Sequence, residues 1–338
     1  MRTRRGTTAP GRCPFRTREG ARVARSRGAR RWPLAVALVV AGLLASGCSS
    51  TDLPRFGWPE GVTEQARRMQ GFWSWSVIAA LAIGVLVWAL MFWSFFAYRK
   101  KKNSPTYPKQ TKENLPLELV YTAVPLVMVA VLFYFTVTTE NFVLKKDAQA
   151  DVTVDVVAQK WAWDFGYQGT VVENVGGEVH TIGTSDEVPI LVLPVGKTIE
   201  YHLESQDVIH SFWVPDFLFK RDVFPDPEAN ATDNVFQNKI ERTGAFVGRC
   251  AELCGTYHSA MNFEVRAVPE NIYNRYIELR QQVDQATGAP YTAAAALIQV
   301  GSEFPECGDL CAERSTTTYP LDPDREAKAA SQPQAGGS

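Results

Sequence analysis

Cys250 and Cys254 stand four residues apart, His258 follows after another four and Met261 after three more, in the run Cys250-Ala251-Glu252-Leu253-Cys254-Gly255-Thr256-Tyr257-His258-Ser259-Ala260-Met261. Two thiols, an imidazole and a thioether at this spacing make a soft, mixed sulfur and nitrogen donor set of the kind that suits copper. Upstream, Val208-Ile209-His210-Ser211-Phe212-Trp213 ends an apolar run on a second histidine, and the chain has four histidines in all. By ligand type alone a Cys2His2 zinc site is an alternative, and a disulfide is another. Met261 is useless to zinc, however, and a mononuclear blue-copper site needs a single thiolate, so the second cysteine asks for a second metal. Two coppers bridged by two sulfurs share one unpaired electron and change bond lengths little on reduction. Such a site relays electrons and holds no substrate.

These residues resemble the Cu(A) loop of subunit II of haem-copper cytochrome c oxidase, in its bacterial lipoprotein form. The resemblance covers about residues 70–280. It implies that Cys250 and Cys254 bridge the coppers, that His210 and His258 are terminal ligands, that Met261 is axial to one copper and that the Glu252 carbonyl caps the other. It further implies that the Lys220-Arg221-Asp222 element and the Glu252 side chain face the catalytic subunit, where the Glu252 carboxylate helps hold a magnesium ion.

The loop needs a scaffold and an address. The first 48 residues carry eleven arginines and one acid, Glu19, ahead of the apolar run Pro33–Ala45, which is too short to stay in a bilayer as a spanning helix. Residues 1–47 read as a signal peptide. Leu44-Ala45-Ser46-Gly47-Cys48 reads as a lipoprotein cleavage site with Cys48 lipidated, cleavage without lipid being the alternative. Of 35 basic and 36 acidic residues, eleven and one lie in that segment, so the remaining chain has a formal net charge of −11.

After a lipid-anchored linker, 48–70, the uncharged stretch Gly71–Tyr98 and then Leu117–Thr139 predict a transmembrane hairpin over 71–139, with Trp73, Trp75, Trp93 and Tyr98 as interfacial anchors. Six basic residues and one acid in Arg99–Pro116 put the connecting loop in the cytoplasm and the rest outside. Glu118 interrupts the second apolar stretch. At a helix start it complements the dipole; by resemblance, with Thr122 and Pro125, it is the glutamate at the mouth of the K proton pathway.

From Asp151 onward, β-branched runs at Asp151–Val157, Ile190–Val192 and Ile199–Leu203 separated by turn residues indicate a sandwich. The resemblance makes residues 151–268 a cupredoxin-type Greek key outside the membrane, so the fold class is an α+β membrane protein. In Trp161-Ala162-Trp163-Asp164-Phe165-Gly166-Tyr167 the period of two predicts four aromatics on one strand face. Core packing is one reading of them; by resemblance Trp161 is where electrons enter from the donor. A strand Asn262–Val268, a helix from Pro269 with proline in its first turn, and a short helix Ala293–Val300 follow, with 269–314 a helical extension. Cys307 and Cys311 repeat the thiol spacing without His or Met, which favours a disulfide. Residues 315–338 read as a disordered tail.

The implied function is the electron-accepting subunit of an aerobic terminal oxidase, an oxidoreductase and translocase of the bacterial plasma membrane. Its coppers take electrons from a cytochrome c, soluble or membrane-tethered, and pass them to haem in catalytic subunit I, for oxygen reduction to water coupled to proton pumping. Implied partners are subunits I and III and membrane lipid, with haem only in the partner and no nucleic acid. A copper-carrying lipoprotein is the rival reading; Glu118 and the Lys220–Asp222 element then go unexplained.

Overall fold

A computed structural model describes residues 55–317 apart from Lys109, Ser185 and Asp186. The signal segment, Cys48 and residues 318–338 lie outside the described residues.

Helix α1 spans Glu64–Ala97 and α2 spans Leu115–Val143. Both are long and apolar enough to cross a membrane, and they pack on each other. The first begins at Glu64 rather than at Gly71. Thr63 caps it by accepting from the Ala66 N–H at 3.0 Å and Glu64 faces the dipole, so its first turns are charged and fall outside the apolar stretch. Helix α2 likewise starts before Leu117, capped by Asn114. Most large side chains along both spans are exposed, Trp88 at 60% and Leu126 at 69% among them, a surface suited to lipid.

The expected linker 48–70 is tied down over its described part. Val62 is buried, donates to the Asp216 carbonyl at 3.0 Å and accepts from the Glu241 N–H at 2.9 Å. Thr63 bridges to Ile240, and Trp58 stacks on Trp73, the predicted anchor, with ring centroids 4.9 Å apart.

Ten strands follow: β1 Val152–Gln159, β2 Ala162–Tyr167, β3 Val179–Ile182, β4 Ile190–Pro194, β5 Thr198–Ser205, β6 His210–Val214, β7 Phe219–Val223, β8 Val235–Lys239, β9 Gly244–Cys250 and β10 Asn262–Val268. They form two five-stranded sheets, β3-β2-β1-β5-β8 and β4-β10-β9-β6-β7. The pairs β1/β5 and β4/β10 are parallel and the other pairings antiparallel, so both sheets are mixed. Alternation puts Val154, Val156 and Ala158 of β1 and Ile199, Tyr201 and Leu203 of β5 inside. Trp163, Phe165 and Tyr167 of β2 are core, as the period of two predicts. Trp161 is a correction to that stripe: β2 begins at Ala162, and Trp161 stays half-buried beside the cysteine loop.

Helix α3, Glu270–Arg280, starts just after Pro269, and α4 spans Ala293–Glu303, one turn longer than predicted. Arg275 holds α4 through a two-pronged pair with Glu303, at 2.7 and 2.9 Å. A 3-10 turn, Pro305–Cys311, closes with the Cys307–Cys311 disulfide. Phe263 points into the core against Trp163 and Phe212, so Glu264 and Arg266 of β10 lie on the opposite face, where the extension covers both to 0% exposure. Arg266 donates from Nε to Glu264 at 2.7 Å and from its terminal nitrogens to the carbonyls of Leu310, Ala312 and Arg314. The other Glu264 oxygen accepts from the Ser315 hydroxyl and from the Thr316 and Thr317 N–H groups, at 2.7 to 2.8 Å. Residues 315–317 are therefore an anchored end and not the start of a disordered tail; a buried carboxylate supplies the fixed partner that their composition does not reveal.

Candidate metal centre

Strand β6 opens with His210, β9 ends with Cys250, and the chain returns through a 3-10 turn, His258–Ala260, to Met261 at the foot of β10. Backbone hydrogen bonds hold the three strand ends together. Phe212 pairs in register with Cys250, the Ala251 N–H donates to the Ser211 carbonyl at 3.2 Å, the Cys250 N–H to the Met261 carbonyl at 3.1 Å and the Met261 N–H to the Tyr257 carbonyl at 3.1 Å. The core adds one more tie, the Trp163 Nε1–H donating to the Met261 carbonyl at 3.3 Å. Gly248 has to be glycine, since a Cβ there would lie 2.1 Å from the Phe263 ring that fills this end of the core.

On this frame the two sulfurs lie 3.8 Å apart. Cys250 Sγ is 3.8 Å from His210 Nδ1 and 3.3 Å from the Glu252 carbonyl oxygen. Cys254 Sγ is 3.5 Å from His258 Nδ1 and 3.9 Å from Met261 Sδ. The ligand atoms of His210, Cys250 and Cys254 all fall within 4.8 Å of one another, and these three residues are buried. All six positions that the sequence nominates thus converge on the two sulfurs. Soft thiolates in the middle, imidazole nitrogens at both ends and weak oxygen and thioether donors flanking them fit a pair of copper ions.

Burial opposes ionisation of both thiols. At Cys250 hydrogen bonds from His210 and the Ser211 backbone overcome it and bring the thiol down, whereas Cys254, beside that charge, is pushed up. Burial likewise disfavours charge on His210, but contacts with Cys250 and Asp207 raise its pKa on balance. Asp207 Oδ1 sits 2.8 Å from His210 Nε2, which leaves Nδ1 facing the sulfur. Burial raises the Asp207 carboxyl, and its hydrogen bonds from His210, Lys160 and Val208 bring it below the ordinary range.

Trp161 donates from Nε1 to the Cys254 carbonyl at 3.2 Å, joining the half-buried indole to the ligand loop. Asp222 Oδ1 takes hydrogen bonds from the Ser211 hydroxyl and from Lys220 Nζ, and Ser211 in turn accepts from Ala251 at the base of the loop. Glu118 is remote, in the first turn of α2; its Oε1 accepts from the Asn114 N–H at 2.9 Å while the Asn114 side chain accepts from Leu117. Sequence reasoning missed Asp207, Ser211 and Tyr257. An Asp three residues before a nominated His ligand is the one signal that pointed to any of them.

The family description "Cytochrome C oxidase subunit II, periplasmic domain" matches residues 152–268, the whole sandwich. A relative from Nocardia farcinica, "Probable cytochrome c oxidase subunit 2", is 46% identical over 375 residues, covering 95% of this chain and 94% of its own. The chain belongs to the cytochrome c oxidase subunit II family. The "Cytochrome c oxidase subunit 2" of Mycobacterium tuberculosis is 43% identical over 310 residues, 78% of this chain and 85% of that one. Among solved structures, the periplasmic domain of subunit II (CoxB) of Bradyrhizobium japonicum is 30% identical and covers 38% of this chain and 93% of its own, with a TM-score of 0.32. A subunit II of this family is part of a haem-copper oxidase, and the His210, Cys250 and Cys254 group suits the copper that the family normally carries.

Proposed function

We propose that this subunit receives electrons from a cytochrome c and delivers them to haem in subunit I of the oxidase, through a dinuclear Cu(A) centre. The observation that carries the reading is the pair of sulfurs 3.8 Å apart with one imidazole beside each. Two coppers bound there supply one-electron carriage with little change in bond lengths. His210, Cys250, Cys254, His258, Met261 and the Glu252 carbonyl would hold them, and the backbone bonds between β6, β9 and β10 tie those donors to one frame. Second-contact groups such as Asp207 orient the donors and tune their basicity.

Trp161 is where electrons enter, because its indole is half-exposed and hydrogen-bonded to the backbone of a bridging cysteine. The Glu252 side chain and Asp222 face subunit I, where the Glu252 carboxylate helps hold a magnesium ion. Glu118 takes up protons at the cytoplasmic mouth of the K pathway; its half-exposed place in the first turn of α2 suits that role. The first 47 residues are removed, Cys48 carries lipid, and the sandwich lies outside the plasma membrane with the basic loop inside. Subunit III and membrane lipid complete the assembly, which couples oxygen reduction to proton pumping.

The test is purification from the membrane in mild detergent. The chain is expected to arrive with haem-bearing subunits, two coppers of its own and a mixed-valence electron paramagnetic resonance signal that Cys254→Ser abolishes. Arrival alone with labile copper, or an unchanged signal in Cys254→Ser, overturns the reading.

A further inference from the structure

Tyr257 stands between two ligand positions, Cys254 and His258. Its ring meets the Trp161 indole edge-on, with centroids 4.9 Å apart and planes at 86°. In this T-shaped arrangement the positive edge of one ring faces the negative face of the other, which adds attraction beyond the area buried. The same indole donates to the Cys254 carbonyl at 3.2 Å. Gly255 lets the loop pass beneath it: its φ is +117°, and a Cβ would lie 3.2 Å from Trp161 Cζ2.

Trp161 lies in the two-residue turn between the paired Gln159 and Ala162, so sheet register fixes its backbone but not its side chain; contacts with the loop hold the indole. Tyr257 is well placed to supply one. Its carbonyl accepts from the Ala260 and Met261 N–H groups at 2.9 and 3.1 Å, so its ring is mounted on the turn that carries His258 and Met261. We infer that Tyr257 is a positioning residue for electron uptake: its ring holds the Trp161 indole against the Cys254 carbonyl. The inference rests on the reading of Trp161 as the place where electrons enter. No bond forms or breaks in the step; the donor loses one electron and the site gains one. What Tyr257 controls is the fraction of molecules in which indole N–H and carbonyl are in contact when the electron moves.

The first measurement needs no metal. The full-length chain labelled with 5-fluorotryptophan in detergent micelles gives a fluorine resonance for Trp161, assigned by its loss in Trp161→Phe. Tyr257→Ala and Tyr257→Leu are expected to shift and broaden it, whereas Tyr257→Phe, which keeps the ring, leaves it in place. The second is stopped-flow reduction of the copper-loaded oxidase by saturating reduced soluble cytochrome c. Tyr257→Ala and Tyr257→Leu should slow transfer on the order of two- to tenfold, the population change that one edge-to-face pair accounts for. Tyr257→Phe should restore the rate, with cytochrome affinity and copper absorption unchanged throughout. Trp161→Ala/Tyr257→Ala should be no slower than Trp161→Ala. A wild-type rate in Tyr257→Ala beside a slow Trp161→Ala overturns the inference and leaves Trp161 in its role; a wild-type rate in Trp161→Ala overturns both. A double variant slower than Trp161→Ala, or an altered copper spectrum in both Tyr257→Ala and Tyr257→Leu, also overturns it, the first by giving Tyr257 an independent role and the second by making it a support of the ligand loop.

Discussion

One carboxylate, Asp207, holds His210: its Oδ1 lies 2.8 Å from His210 Nε2, and its Oδ2 accepts from the Lys160 N–H at the same distance. The histidine that faces Cys250 and the turn that carries Trp161 are thus fastened to a single side chain. With Nε2 committed to the carboxylate, Nδ1 is left to point at the sulfur. Removing the carboxylate frees the ring to rotate. Asp207→Ala is expected to weaken copper binding by about 10- to 100-fold, measured by competition with a chelator of known affinity. An unchanged affinity would mean that β6 alone orients the ring.

Glu118 bears on a different step. Its carboxylate accepts from the Asn114 N–H in the first turn of α2, far along the chain from the cysteines. Glu118→Gln keeps an oxygen for that bond while removing the acid. Oxygen turnover should fall while copper content and the copper spectrum stay as in the wild type. Full turnover in Glu118→Gln would reduce the residue to a helix cap.

The pair Glu264 and Arg266 sets a stability prediction. Both side chains are at 0% exposure and 2.7 Å apart. Losing one partner leaves the other as a buried charge without its counter-ion, a cost of about 3–5 kcal/mol, so Arg266→Ala should unfold at markedly lower denaturant than the wild type. Burial raises the Glu264 carboxyl, but hydrogen bonds from Thr317 and Ser315 and from Arg266 outweigh it and hold it below the ordinary range. A carboxyl lowered on folding contributes stability that is fully present above its unfolded value, about 4.3, and is lost as pH falls through the folded value. The wild type should therefore lose stability on acidification below about pH 4.3, and Glu264→Gln should lose less over that window. Denaturant melts between pH 3 and pH 6 check it, and identical slopes would reject it.

Charge makes a prediction about the donor. Residues 140–338 contain 15 basic and 30 acidic side chains, a formal net charge of −15. A field of one sign raises the encounter rate of an oppositely charged partner and loses that advantage as salt shortens its range to about 10 Å at 0.1 M. Reduction of the copper site by a basic soluble cytochrome c should slow steeply between low and physiological salt. Rates independent of salt would point to a donor tethered beside the oxidase, whose local concentration is already high.

The ligand loop was legible because its information is local. Four donors sit within twelve residues, and their types together favour copper. Both long helices were legible too, since an apolar stretch of spanning length with at most one charge has few other uses. Their starts were not: Thr63 and Asn114 set them outside the apolar window. Strands such as Phe219–Val223 and Val235–Lys239 each carry three charged or amide side chains in five positions and no clean alternation, so their pairing with β6 and β5 decides them more than their own pattern does.

The sequence by itself nominated the atoms that meet at the centre, because four soft donors stand within twelve residues of one loop and a second histidine ends an apolar run upstream. Tertiary structure decided what surrounds those atoms. Trp161 reaches the Cys254 carbonyl across 93 residues, and Arg266 reaches the carbonyls of the extension across 44 to 48. Contacts at such separations depend on which strands lie side by side and which faces a later segment covers. No local run of residues encodes them; they arise when the two sheets close on a shared core and the extension folds over β10.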